Sequence, residues 1–146
     1  MTKIIVYIDG GSRGNPGPAA IGVIICNEKE QIIKKYSEYL GETTNNEAEY
    51  QALIFALKKT KLLYGKQKIK DLEIEIKSDS ELLIKQLNAE YKILTSNIQS
   101  LFIKAWNLKI DLKKVKFVLV PREENKEADK LVNEILDDQG RTQSLL

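Results

Sequence analysis

The segment Leu72-Glu73-Ile74-Glu75-Ile76-Lys77 constrains the fold more than any other part of the chain. Apolar and charged residues alternate along it with the period of a strand that buries one face. Helical spacing flanks it on both sides, through Ala48, Leu53, Ala56 and Leu57 before it and Leu82, Leu83 and Leu87 after it. A strand entered from one helix and left through another pairs in parallel with an earlier strand, because the crossover returns the chain to the same end of the sheet. Candidate partners lie upstream. Ile4 to Ile8 is β-branched or aromatic throughout, Ala20 to Ile25 is apolar, and Gln31 to Leu40 mixes polar and apolar residues as a more exposed strand does. The glycines and prolines from Gly10 to Pro18 mark a turn-rich loop, and the three opening strands can pair as a meander.

Downstream, Thr95 or Ser96 can cap a helix containing Leu101, Phe102, Ala105, Trp106 and Leu108. Val115 to Val120 reads as a last strand closed by Pro121, and Asn125 as the cap of a final helix carrying Ala128, Leu131, Val132, Ile135 and Leu136. Gly65 and Gly140 are the expected stops of the first and last helices. The expected fold is therefore α/β, a five-stranded mixed sheet flanked by helices.

With 146 residues, 42% of them hydrophobic, the chain supports one core, expected as one domain over residues 1–140 with a tail over 141–146. The 23 basic and 21 acidic residues leave a formal charge of +2, so no global field draws it to polyanions and any nucleic-acid site must be local. Cys26, the single cysteine, reads as a small buried hydrophobe. Met1-Thr2-Lys3 leads directly into Ile4 to Ile8 without a signal-peptide pattern, and no run reaches membrane-spanning length. A cytoplasmic monomer that engages no membrane is expected. Phe102 and Trp106, four apart on one helix, read as core, and the lysines from Lys58 to Lys70 and from Lys109 to Lys116 as solvated faces.

Four carboxylates fall where structural need does not explain them. Asp9 ends an apolar strand, Glu49 lies in the first turns of the first long helix, Asp79 sits where a strand meets a helix, and Asp129 is near the start of the last helix. Aspartate is unfavourable in strands, which makes Asp9 and Asp79 conspicuous. Taken singly, Asp79 reads as a helix start and Asp129 as a complement to a helix dipole.

Their neighbours change that reading. Tyr7-Ile8-Asp9-Gly10-Gly11-Ser12-Arg13-Gly14-Asn15-Pro16-Gly17-Pro18, Thr43-Thr44-Asn45-Asn46-Glu47-Ala48-Glu49, Ser78-Asp79-Ser80 and Asn125-Lys126-Glu127-Ala128-Asp129 resemble, in order, the four signatures of type 1 ribonuclease H. The resemblance extends from residue 4 to about residue 136. It implies the ribonuclease H-like fold and an endonuclease that hydrolyses the RNA strand of RNA/DNA hybrids. It also implies that Asp9, Glu49, Asp79 and Asp129 are both the catalytic set and the ligands of two divalent ions, Mg²⁺ or Mn²⁺. Two such ions about 3.5 to 4 Å apart activate a water and stabilise the leaving oxygen of an in-line displacement. The family pattern selects Glu49 over Glu47, which is left as favourable charge at a helix N-terminus.

A nuclease of this kind distinguishes RNA from DNA by the 2′-hydroxyl. Gly10, Gly11 and Ser12 permit close backbone approach, Asn15, Asn45 and Asn46 offer amides toward a minor groove, and Thr44 resembles the family's contributor to a phosphate pocket on the DNA strand. Turn and cap chemistry is the bland alternative for each. The chain has no histidine, and Arg122 resembles the arginine of a subgroup that lacks the usual histidine before the last catalytic Asp. Such an arginine steadies phosphate or a leaving group but relays no proton. Glu81 stands where many relatives carry a Gln that touches nucleic acid, so either that contact is lost or Glu81 faces a metal or hydroxyl. The segment between Asp79 and Asp129 is short for a basic protruding helix, so weak hybrid affinity with steep salt dependence is expected. Two rival functions remain: a nuclease of the same fold acting on double-stranded RNA or another duplex, and a catalytically dead hybrid-binding module.

Overall fold

The computed structural model describes residues 2–145, with side chains through residue 142. Five strands are β1 (Thr2–Ser12), β2 (Gly17–Cys26), β3 (Ile32–Thr43), β4 (Leu72–Ser78) and β5 (Lys114–Leu119). Four helices are α1 (Asn45–Ile69), α2 (Glu81–Leu87), α3 (Ser96–Leu112) and α4 (Lys126–Leu145), with a 3₁₀ turn at Arg122–Glu124. The strands lie in the order β3-β2-β1-β4-β5. β1 pairs antiparallel with β2, and β2 with β3, as a meander. β4 then pairs parallel with β1, and β5 parallel with β4, because each is reached through a helical crossover. This is the mixed sheet expected from the alternation in Leu72–Lys77.

Strand periodicity sorts the side chains onto two faces. Ile4, Val6 and Ile8 of β1 join Ile21, Val23, Ile74 and Ile76 in the larger core, which α1 closes with Leu53, Ala56 and Leu57. Ile5 packs on the opposite face with Ile24, Cys26 and Ala128, beneath α4. Cys26 is buried, as its setting predicts. On the same opposite face of β4, Glu75 pairs with Lys3 at 3.0 Å. No helix among the described residues is long and apolar enough to cross a membrane.

One helix stop is met and two local expectations are corrected. Gly65 does break the first helix, as its place in the sequence predicts: its φ of 77° and ψ of 168° are non-helical, and beyond that kink a further helical segment runs on to Ile69. Gly140 does not end α4, whose backbone stays helical to Leu145. Residues 141–145 of the expected tail thus continue that helix, and Leu146 lies outside the described residues. Trp106 is not core: it is 51% exposed, stacked on Phe102 at 6.1 Å with the Lys109 ammonium over its ring. Among the described residues no helix lies between α2 and α3, in line with the short segment noted in the sequence.

Candidate active site

The sheet carries two of the four acids to one place. Asp9 follows Ile5 and Tyr7 on the α4 side of central strand β1, and Asp79 follows immediately on Ser78, the last residue of its parallel neighbour β4. Parallel pairing puts the C-terminal ends of both strands at the same edge. The other two acids arrive on helices. Glu49 lies one turn into α1 and Asp129 in the first turn of α4.

Both helices reach the sheet over a glycine. A methyl group on Gly10 would stand 2.3 Å from the Ala48 carbonyl oxygen, and one on Gly22 would stand 2.5 Å from the Ala128 carbonyl oxygen. Each helix therefore touches the sheet backbone at the residue just before its own acid. The result is a hollow of about 400 Å³ lined by Asp9, Glu49, Asp79 and Asp129 together.

Buried negative charge dominates the electrostatics of this hollow. Burial, then the charges of Asp79 and Asp129 and a hydrogen bond with Asp129, push Asp9 up to about 8, against a smaller opposing bond from the Gly10 amide. Burial, followed by the Asp9 and Asp79 charges, also holds Glu49 well above the usual carboxylate range. Glu49 Oε2 is buried without a hydrogen-bond partner. Among the described residues no three acids already form a closed metal-ligand set. Asp9, raised by burial and by the charges of Asp79 and Asp129, favours its protonated form in this hollow.

Gly10, Gly11, Ser12, Asn45, Asn46 and Arg122 line the same hollow. Gly10 has already used its freedom of approach on α1, whereas a methyl on Gly11 would come no nearer than 3.8 Å to Val132. Asn45 Oδ1 accepts from the Ser12 amide at 2.9 Å, and Asn15 Oδ1 accepts from the Asn45 amide at 3.0 Å. Asn15 is thus a brace behind the rim. Thr44 does not line the hollow: it is the N-cap of α1, its hydroxyl accepting from the Glu47 amide at 3.2 Å. Arg122 is largely exposed at the mouth, with Nε 3.6 Å from Asp79 Oδ2. Glu81 does not line the hollow; it pairs with Lys85 at 2.9 Å and accepts from the Tyr91 hydroxyl.

Glu47 does more than add charge to a helix start. Its carboxylate accepts from the Thr43 hydroxyl and from Asn97 Nδ2, the latter at 2.6 Å, tying α1 to the first turn of α3. These two bonds hold it below the usual carboxylate range.

Sequence reasoning missed two contributors. Gly22 interrupts an apolar strand, which is a signal of close backbone approach. Asn125 was read as a helix cap, yet its side chain turns inward to the Ile8 carbonyl oxygen and Asp79 Oδ1.

A sheet of this order, with helices delivering acids to the shared ends of β1 and β4, defines a ribonuclease H-like α/β domain. The chain belongs to the reverse transcriptase-like family, whose model matches residues 7–135. It is similar to LC11 ribonuclease H1, solved in complex with an RNA/DNA hybrid, at 45% identity and a TM-score of 0.88, covering 93% of this chain and 98% of that one. Ribonuclease HI of Halobacterium salinarum is 36% identical over 136 residues, 93% of this chain and 65% of its own length. A bifunctional protein of Mycobacterium tuberculosis is 31% identical over 92% of this chain but only 36% of its own length. The chain thus spans between about a third and two thirds of these two relatives.

Proposed function

We propose that this chain, as a single nuclease domain over residues 1–140, hydrolyses the RNA strand of RNA/DNA hybrids in a divalent-metal-dependent reaction. The observation that carries the reading is the convergence of Asp9, Glu49, Asp79 and Asp129 on one hollow, where burial and mutual repulsion raise Asp9 and Glu49 and a bound cation would relieve the repulsion. The donor set is all oxygen, Glu49 Oε2 has no hydrogen-bond partner, and Asp9 holds a proton that a cation would displace. These features suit hard Mg²⁺ or Mn²⁺. Two such ions, when bound, supply a nucleophilic water at neutral pH and stabilise the leaving oxygen.

The remaining residues bind and orient. Gly11, Ser12, Asn45 and Asn46 offer a rim of backbone and short polar groups suited to 2′-hydroxyls in a shallow minor groove. Arg122, permanently charged and beside Asp79, is placed to steady a phosphate or leaving group. The RNA/DNA hybrid bound by the LC11 enzyme supports the choice of substrate. Labelled RNA/DNA, RNA/RNA and DNA/DNA duplexes offered with Mg²⁺ or Mn²⁺ test the reading: cleavage of the RNA strand of the hybrid is expected, and cleavage of a DNA strand, or none of any duplex, would overturn it.

The raised value of Asp9 gives a sign for pH dependence. The folded metal-free protein keeps a proton that the unfolded chain releases near pH 4, so this contribution to stability is full below about 4 and lost as pH climbs to about 8. Added Mg²⁺ or Mn²⁺ is therefore expected to raise the melting temperature more at pH 8 than at pH 5, measured by calorimetry at fixed ionic strength.

Glu47 bears on affinity. Its charge stands in a second hollow with Thr43 and Asn97, beside the first turn of α1, and repels any phosphate there. Glu47→Gln keeps a hydrogen-bonding group but removes the charge. It is expected to tighten hybrid binding roughly two- to tenfold at low salt, a gain that shrinks as salt rises, read by fluorescence anisotropy.

A further inference from the structure

Asn125 is 1% exposed, and both of its side-chain amide hydrogens are committed within the fold. Nδ2 lies 2.8 Å from the carbonyl oxygen of Ile8, the residue before Asp9, and 2.9 Å from Asp79 Oδ1. Both neighbours are acceptors, so the orientation of the amide is fixed: the reverse placement would set oxygen against oxygen twice. The backbone carbonyl of Asn125 accepts from the Asp129 amide at 3.1 Å, opening the helix that carries the fourth acid. One residue thus touches the mountings of three catalytic acids, from β1, β4 and α4.

Helix capping does not account for this arrangement. A capping asparagine turns its side-chain oxygen onto an amide of the first helical turn. Here Oδ1 is buried with no partner at all, while the nitrogen faces away from the helix toward the acids. A buried polar atom left unpaired is unusual enough to need an explanation, and the geometry of the other end of the same amide supplies one. The bond to Oδ1 of Asp79 fixes that carboxylate's rotation and leaves Oδ2 as the oxygen free for the hollow, on the side of the Arg122 guanidinium.

We infer that Asn125 is a positioning residue for metal binding, which sets the Asp79 carboxylate against the Asp9 strand through a single bridging amide. This rests on the nuclease reading above. Without the amide, Asp79 turns freely toward Arg122, and the ligand set loses its register before any substrate is present.

The test uses Mn²⁺ binding to the substrate-free protein, followed by electron paramagnetic resonance, beside kcat and KM for an RNA/DNA hybrid. Asn125→Ala is expected to weaken Mn²⁺ binding by about tenfold or more and to lower kcat by a similar factor, with KM for the hybrid little changed. Asn125→Asp, of the same shape, places an acceptor against both Ile8 and Asp79 and is expected to lose more. A folded alanine variant that binds Mn²⁺ and turns over within twofold of the wild type would overturn the inference, whatever its melting temperature. If neither variant folds, the wild-type protein carries the test by NMR. Slow exchange of the Asn125 side-chain amide protons, with a shift on adding Mg²⁺, is expected, and fast exchange without a shift would sink the proposal. A wild-type protein that neither binds Mn²⁺ nor cuts the hybrid would instead refute the nuclease reading itself.

Discussion

Asp9→Asn is expected to abolish hybrid cleavage, by about a thousandfold or more, while making the metal-free protein more stable. The two effects share one cause. Asp9 sits buried among Asp79 and Asp129, and the metal-free fold must keep it protonated up to about pH 8. Near pH 7 the unfolded chain has long released that proton, so the folded state bears a penalty that asparagine removes. Asparagine also retains a donor toward Asp129. A gain of about 1–3 kcal/mol is expected, or roughly 2–10 °C in melting temperature for a domain of this size. The gain grows from pH 5 to pH 8, in the direction set by the raised value of Asp9, and Mg²⁺ stabilises the variant less than the wild type. Paired melting curves with and without metal, beside a single-turnover cleavage assay, read both halves. Unaltered cleavage by the variant would contradict the catalytic assignment of Asp9. A loss of metal-free stability would contradict the account of its burial.

Gly10→Ala is expected to cost at least about 3 kcal/mol of stability, beyond the ordinary range for a surface change. Its new methyl would meet the Ala48 carbonyl oxygen at 2.3 Å and the Glu49 amide nitrogen at 2.7 Å. Those atoms are backbone, on a helix whose Ala48, Leu53 and Leu57 are fully buried, so no flexible side chain can give way. Either α1 lifts off β1 or the protein unfolds, and in both cases Glu49 leaves Asp9. Gly11→Ala provides the contrast, because its methyl falls 3.8 Å from Val132 Cγ1 in ordinary van der Waals contact. Its stability is expected to change by less than about 1 kcal/mol. Urea denaturation of both variants gives the comparison, and equal losses would show that helix approach is not what Gly10 provides.

The local signals in the chain set the architecture. Period-two alternation at Leu72–Lys77, between two helical stretches, was enough to require a parallel crossover, and the apolar run at Ala20–Ile25, broken only by Gly22, marked a strand that the fold buries on both faces. Asp9 and Asp79 were conspicuous because strand preference disfavours them where they stand, but it was the motifs around all four acids, through their resemblance to ribonuclease H, that singled the set out. Gly65 marked a real break in helical geometry, whereas Gly140 misled, because glycine permits a helix to stop but does not compel it, and α4 continues to Leu145.

The direction of side chains was beyond local reasoning. Asn125 carries the sequence signature of a cap, and only the placement of β1 and β4 beside it turns its amide to Ile8 and Asp79. Glu47 was assigned a helix dipole, while its partner Asn97 lies fifty residues away on another helix. Trp106 has the spacing of a core residue, but among the described residues no further element covers it. Sequence by itself determined which segments became strands and helices, and which residues stood at odds with them, because propensity and periodicity act between near neighbours along the chain. The tertiary structure alone decided which polar groups met, how closely the helices approached over Gly10 and Gly22, and how far Asp9 resisted ionisation. Those quantities depend on burial and on distances between atoms brought together from opposite ends of the chain.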